Sequence, residues 1–159
     1  MNYKVLITTS GIGSRLGDIT DYTNKTLIRI GDKPAISHII ESYPENTEFV
    51  ITLGHCGDYV KEFVKIAYPH RNFNFVWVDK YVGPGSSLGY SLLQAEEFLQ
   101  CPFIFNACDT IIEDAKVLKD AMKTVQNFCV GARKDDTSQY STLLTEKDRV
   151  LKLKNKGEI

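Results

Sequence analysis

The sequence has 159 residues, 43% apolar and 25% charged, with a formal net charge of −1; this is the make-up of one globular domain that can bury a core without disulfides or a structural metal, and it excludes a disordered or collagen-like chain. The near-neutral charge, with no run of more than two basic residues, argues against nucleic acid as a partner. No apolar run approaches the ~20 residues of a membrane span, and residues 1–10 lack the basic-then-apolar pattern of a signal peptide, so the sequence reads as cytoplasmic with no membrane partner.

Residues 4–9 (KVLITT) form an apolar run expected to be a buried strand, and they lead straight into a glycine-rich loop over 10–17. Pro34 is placed to be the first residue of a helix, where its missing N–H costs nothing. Ile36, Ile39, Ile40 and Tyr43 then recur at i, i+3, i+4 and i+7, and Pro44 ends the segment. Residues 49–53 (FVITL) read as a second strand broken by Gly54, and Val60, Phe63, Val64 and Ala67 repeat the helical spacing. Residues 73–78 (FNFVWV) read as a third strand, with Trp77, Phe73 and Phe75 as sheet packing. A second glycine-rich loop at 83–87 opens a helix with Leu88, Leu92, Ala95 and Leu99 on one face. Residues 102–107 (PFIFNA) make a fourth strand that runs up to Asp109. A helix with Leu118, Ala121, Met122 and Val125 inward and a fifth strand at 128–132 (FCVGA) follow. Residues 140–145 and 150–154 alternate as a hairpin around Lys147-Asp148-Arg149.

Strands alternating with helices predict parallel strands joined by crossovers. The expected fold is α/β: a Rossmann-like three-layer sandwich, a mostly parallel sheet with helices on both faces and a C-terminal β-hairpin, with residues 1–159 as a single domain. Ligands of such sheets bind outside the carboxyl ends of the strands. The 10–17 loop, the 83–87 loop and Asp109 all follow strands and so are expected at one edge. The four cysteines show no C-x-x-C spacing and read as reduced, buried thiols. His55 is expected to be a loop histidine with a structural partner, and His38 and His70 surface residues.

Glycines at 11, 13 and 17 let a backbone turn sharply and approach a phosphate, and loop amides can donate to anionic oxygens. Two familiar phosphate loops fail on spacing. A Walker A loop needs G-x-x-x-x-G-K-[ST]; here the second glycine comes one position late and Asp18 stands where the lysine belongs. A dinucleotide fingerprint needs G-x-G-x-x-G and an acid after the second strand; here the third glycine is displaced, and strand two ends in Gly54-His55. Arg15 offers a fixed planar fork suited to phosphate oxygens, and Lys25, ten residues later, a mobile point charge. Either one alone reads as a solvated surface cation, and Asp109 alone as a turn aspartate.

Together, Thr8-Thr9-Ser10-Gly11-Ile12-Gly13-Ser14-Arg15-Leu16, then Lys25, then Lys33-Pro34 resemble the signature of the sugar-nucleotide pyrophosphorylases, or sugar-phosphate nucleotidyltransferases. The resemblance implies that Thr8, Thr9, Ser10, Gly11, Gly13 and Ser14 wrap a nucleotide. It implies that Arg15 holds the β- and γ-phosphates and that Lys25 contacts the α-phosphate under attack. Gly85, Ser86 and Ser87 would lie beside the base, Asp109 would bind Mg²⁺, and Lys156 would meet the acceptor's phosphate. The implied partners are an NTP and a phosphorylated small molecule such as a sugar 1-phosphate, with a homo-oligomer open. Thr9-Ser10 stand where the family has Ala-Ala, and Asn24 and Thr26 flank Lys25 where proline is common. The segment 151–157 matches the family's Glu-Lys-Pro only at Lys156. Two alternatives stay open: a cytidylyltransferase for a non-sugar phosphate such as phosphocholine, and a non-catalytic NTP-binding module. A nucleotide-sugar glycosyltransferase would carry D-x-D, and Ala107 stands two residues before Asp109.

Overall fold

The computed structural model describes residues 3–124, 126–138, 140–147 and 149–155. The chain divides into two compact units, Met1–Thr124 and Val125–Ile159.

In the first unit β1 (Lys4–Thr8) leads through 3₁₀ turns at Ser14–Thr20 and Lys25–Leu27 to a short antiparallel pair, β2 (Arg29–Ile30) and β3 (Lys33–Pro34). Then come α1 (Ala35–Ser42), β4 (Glu48–Leu53), α2 (Gly57–Ala67), β5 (Asn72–Trp77), α3 (Leu88–Gln94), β6 (Phe103–Ala107) and α4 (Ala115–Lys123). The four long strands form one parallel sheet in the order β5-β4-β1-β6. β1 and β4 are its central strands and are buried on both faces, which is why their sequences are continuous apolar runs rather than alternating ones.

Alternate residues of those strands feed two apolar clusters. Val5, Ile7, Phe49, Ile51 and Leu53 pack with Ile36, Ile39 and Ile40 of α1, Val60 and Val64 of α2 and Leu118 of α4. Leu6 and Val50 face the other way and pack with Ala95 and the partly buried Leu92, Phe98 and Leu99. Helices thus cover both faces of the sheet, as the alternation predicted. Each fully buried isoleucine contributes roughly 1.5–3 kcal/mol, and α1 supplies three such residues from one face.

Several local expectations need correction. Pro34 is not the first helical residue: it lies in β3, extended at φ −61° and ψ 153°, and caps α1 from outside. Gly31-Asp32 close the β2–β3 turn, with Gly31 at φ 66°, a left-handed value that favours glycine. Leu88, the first residue of α3, is 53% exposed rather than on the helix's buried face. Trp77 is 47% exposed at the end of β5, an edge strand. Of the four cysteines only Cys108 is buried; all are free.

In the second unit, β7 (Thr142–Glu146) and β8 (Arg149–Lys154) form the expected antiparallel hairpin, with a register shift between Leu144 and Thr145. Lys147 turns the chain at φ 53°. The fifth strand expected at 128–132 is not formed. A strand needs a ladder partner, and this run has none among the described residues; Phe128 and Val130 are 51% and 61% exposed. Its apolar pattern alone could not supply the pairing.

Candidate functional site

After β5 the chain crosses back over β1 and adds β6 on the far side, so the strand order reverses between β1 and β6. That reversal opens a crevice outside the carboxyl ends of those two strands, the usual ligand position in an open α/β sheet. The segment after β1 carries Ser10 to Lys25, and the turn after β6 carries Cys108 and Asp109. At the crevice Lys25 Nζ donates to Asp109 Oδ2 at 2.9 Å. Two residues 84 positions apart in sequence are thus brought into contact.

Each partner is held from below. Asn24 is fully buried, and its side-chain amide donates to Thr9 O and to His55 O, both at 2.7 Å. Its Oδ1 accepts from Thr26 N, which starts the 3₁₀ turn that presents Lys25. His55 Nε2 lies 2.6 Å from Thr20 O, so the histidine has the structural partner expected of it. Gly13, at φ 69°, passes so close that a Cβ there would come within 3.3 Å of Lys25 Cβ and 3.0 Å of Thr20 Cγ2. On the other side, Asn106 Nδ2 donates to Ala107 O and Thr110 O, and Thr110 N returns to Ala107 O. This closed turn carries Asp109. The buried Tyr43 hydroxyl of the α1 end donates to Asn106 Oδ1 at 3.0 Å and anchors it to the core.

The electrostatics follow from the packing. Burial disfavours the Lys25 ammonium, but Cys108 and the Asp109 carboxylate outweigh it and hold the pKa above the ordinary lysine value. Burial pushes the Cys108 thiol up to about 11, against the pull of Lys25. Cys108 is therefore a neutral thiol near neutral pH.

A cleft of about 230 Å³ lies beside the loop after β1, with Lys25 in its lining. Thr8, Ser10 and Gly11 line one side, and Tyr81, Ser86, Ser87, Leu88 and Ser91 the other. Ser10 Oγ and Ser91 Oγ are 3.0 Å apart and bridge the two sides, and Ser91 Oγ also donates to Ser87 O. Ser87 Oγ caps α3 by accepting from Tyr90 N. Gly11 has open space where a side chain would stand. The cleft therefore brings one ammonium together with hydroxyls and one aromatic ring.

Of the residues singled out in the sequence, Thr8, Ser10, Gly11, Lys25, Ser86 and Ser87 come together around this cleft, with Asp109 paired to Lys25. Thr9 is buried and its hydroxyl donates to Thr52 O at 2.6 Å, so its side chain serves the sheet. Gly13 shapes the loop against Lys25. Ser14 and Arg15 are exposed in the 3₁₀ turn outside the cleft lining, and Gly85, at φ 89°, turns the second loop. Lys156 lies outside the described residues. Sequence reasoning missed Asn24, Tyr81, Ser91 and Gly54. Gly54 was legible only as a strand breaker, yet a Cβ there would meet Ser10 O at 2.5 Å and Tyr81 Cγ at 2.8 Å. Its bare backbone lets the Ser10 loop and the Tyr81 ring close together.

No protein-family model matches the chain. Over 111 residues it is 31% identical to the bifunctional protein GlmU of Methanococcus maripaludis, covering 69% of this chain and 25% of that protein. Over 89 residues it is 33% identical to a probable glucose-1-phosphate cytidylyltransferase of Bacillus subtilis, covering 54% of this chain and 34% of the relative. The chain belongs to the sugar-phosphate nucleotidyltransferase family. Its fold matches family structures over nearly its whole length. The TM-score is 0.74 to a UDP-glucose pyrophosphorylase bound to UDP-glucose, at 18% identity, covering 98% of this chain and 69% of that one. It is 0.75 to the CTP:phosphocholine cytidylyltransferase of Streptococcus pneumoniae, at 21% identity, covering 96% and 64%. The chain spans a quarter to a third of the two curated relatives named first, and about two thirds of these family structures. No helix among the described residues is long and apolar enough to cross a membrane.

Proposed function

We propose that this chain carries the nucleotide half of a nucleotidyl transfer, in which an NMP moves from an NTP to a sugar 1-phosphate or a similar phosphorylated small molecule. An oxygen of the acceptor's phosphate bonds to the α-phosphorus, the bond between that phosphorus and the bridging oxygen to the β-phosphate breaks, and pyrophosphate leaves. The observation that carries this reading is that Lys25, paired to Asp109, shares a cleft with hydroxyl side chains and Tyr81. That combination suits a molecule carrying both phosphates and a flat, hydrogen-bonding base.

Both reactants are anions, so the protein's task is to position them and offset their charge, with no protein nucleophile. Lys25 is poised to meet the α-phosphate as charge builds there. The amides after β1, beginning at Gly11, face the phosphates, and Arg15 in the adjoining turn reaches the outer ones. Ser86 and Ser87 sit where a base edge would be read.

Asp109 has the chemistry to hold Mg²⁺: a carboxylate whose side chain is 64% exposed, in the crevice where phosphates would lie. Mg²⁺ favours hard oxygen ligands, keeps several waters and commonly docks through one or two carboxylates plus substrate phosphates. Among the described residues no group of three or more His, Cys, Asp or Glu side chains could hold a metal, which suits a metal that arrives with the NTP. When bound there it would neutralise phosphate charge.

The relatives favour this class of acceptor without choosing within it: one is named for glucose 1-phosphate and another, the choline-phosphate cytidylyltransferase of Streptococcus pneumoniae, for choline phosphate. The test is pyrophosphate release across a matrix of the common NTPs and of sugar phosphates and phosphocholine, run beside calorimetry of Mg²⁺–NTP binding. Turnover with one pairing supports the reading. Binding without turnover would leave a nucleotide-binding module, and no binding of any NTP would refute it.

A further inference from the structure

We propose that Asn24 is the positioning residue for Lys25: its buried amide pins the turn carrying the lysine to the ends of β1 and β4 and thereby sets how far the ammonium reaches into the crevice. The proposal rests on the nucleotidyl-transfer reading of the same site.

Both donor hydrogens and the acceptor of the Asn24 side chain are used. Nδ2 bonds Thr9 O, one residue beyond β1, and His55 O, two residues beyond β4, each at 2.7 Å, and Oδ1 takes Thr26 N at 3.0 Å. One side chain therefore spans two neighbouring parallel strands at their carboxyl ends and caps the turn 25–27. The turn is closed by Leu27 N to Asn24 O at 2.9 Å and by Ile28 N to Lys25 O at 3.2 Å. Asn24 is 0% exposed, so deleting its amide would leave acceptors near the core without their donor.

A lysine stem is long and flexible, so the reach of its charge depends on where its base is fixed. Lys25 is fixed on two sides, by the Asn24 turn and by the backbone of Gly13, and its Nζ arrives at Asp109. Catalysis by a charge placed against a developing anion is sensitive to misplacement by about 1 Å, which can cost on the order of 100-fold.

Asn24 itself has φ −80° and ψ 141°, a conformation proline adopts. Asn24→Pro thus keeps the backbone of the turn while removing the amide, and Asn24→Ser removes the amide in a different way. The experiment places each in a double-mutant cycle with Lys25→Ala, reading kcat, the Kd for Mg²⁺–NTP and thermal stability. It adds a crystal structure of each variant. We expect each Asn24 variant to fold, to bind NTP within about threefold of wild type and to lose at least ~10-fold in kcat. In the Lys25→Ala background the same substitutions change kcat less than about twofold, because the group they position is gone. In the variants the Lys25 ammonium no longer reaches Asp109 Oδ2, 2.9 Å away in the wild type. Equal losses with and without Lys25, or a variant at full kcat, would overturn the proposal. If the wild type turns over no NTP, the functional reading fails by itself. Crystal structures of the variants then decide the positioning role alone, and a Lys25–Asp109 contact unchanged in Asn24→Pro sinks it.

Discussion

Lys25→Ala separates chemistry from stability. If Lys25 neutralises charge in the transition state, its loss resembles the loss of one placed electrostatic donor, ~10²–10³-fold in kcat or about 2.7–4 kcal/mol. The same substitution should hardly disturb folding. The ion pair it breaks has side chains 26% and 64% exposed, and pairs so open to solvent contribute only about 0–1 kcal/mol. For a chain of this size that is a fall in Tm of at most ~4 °C. The assay is pyrophosphate release under saturating NTP and acceptor, with a thermal melt of the same preparation. Full-rate turnover would remove Lys25 from the mechanism. A lost rate accompanied by a melting drop of ~10 °C or more would instead make the lysine an element of the fold.

Three further substitutions follow from the geometry. Asp109→Ala should abolish the Mg²⁺ dependence of NTP binding with the circular dichroism spectrum unchanged; a metal titration matching wild type would free Asp109 of that role. Tyr81→Ala should weaken NTP by roughly 1–3 kcal/mol if its ring stacks on the base, and leave binding of inorganic pyrophosphate as it was. Equal affinity of wild type and variant for NTP in calorimetry would deny the stacking. Tyr43→Phe strands Asn106 Oδ1 and should cost about 1–3 kcal/mol in denaturant unfolding at neutral pH. Burial holds the Tyr43 hydroxyl above its ordinary pKa of 10.0. Its contribution is thus intact below pH 10 and is lost as pH rises beyond it, so the variant should show a shallower alkaline loss of stability than wild type.

Much of the layered sheet was readable because its determinants are local. Residues 4–9 and 49–53 are unbroken apolar runs, and the 3.6-residue spacing of Ile36, Ile39 and Ile40 marks the face that α1 buries. The strand at 128–132 failed because an apolar run says nothing about whether a neighbour offers a ladder. The site was legible where glycines and cations follow strands, which put the loop after β1 and Asp109 at one edge; Arg15, expected beside them, is instead exposed outside the cleft lining. The residues that hold Lys25 and Asp109 were not legible. Asn24 does its work through the carbonyls of Thr9 and His55, and Gly54 matters for what its missing Cβ leaves room for. Both depend on contacts between strand ends that only the fold creates. Thr9 shows the converse: it sits inside a recognisable motif, yet its hydroxyl is committed to Thr52.

The bond between Lys25 and Asp109 also shapes how the crevice looks from a distance. Opposite unit charges 2.9 Å apart form a dipole, whose potential dies away faster than that of a lone cation. An approaching polyanion therefore meets little long-range pull from this pair, and capture depends on encounters close enough for phosphate oxygens to compete with the carboxylate. The association rate set by this pair should be nearly indifferent to ionic strength.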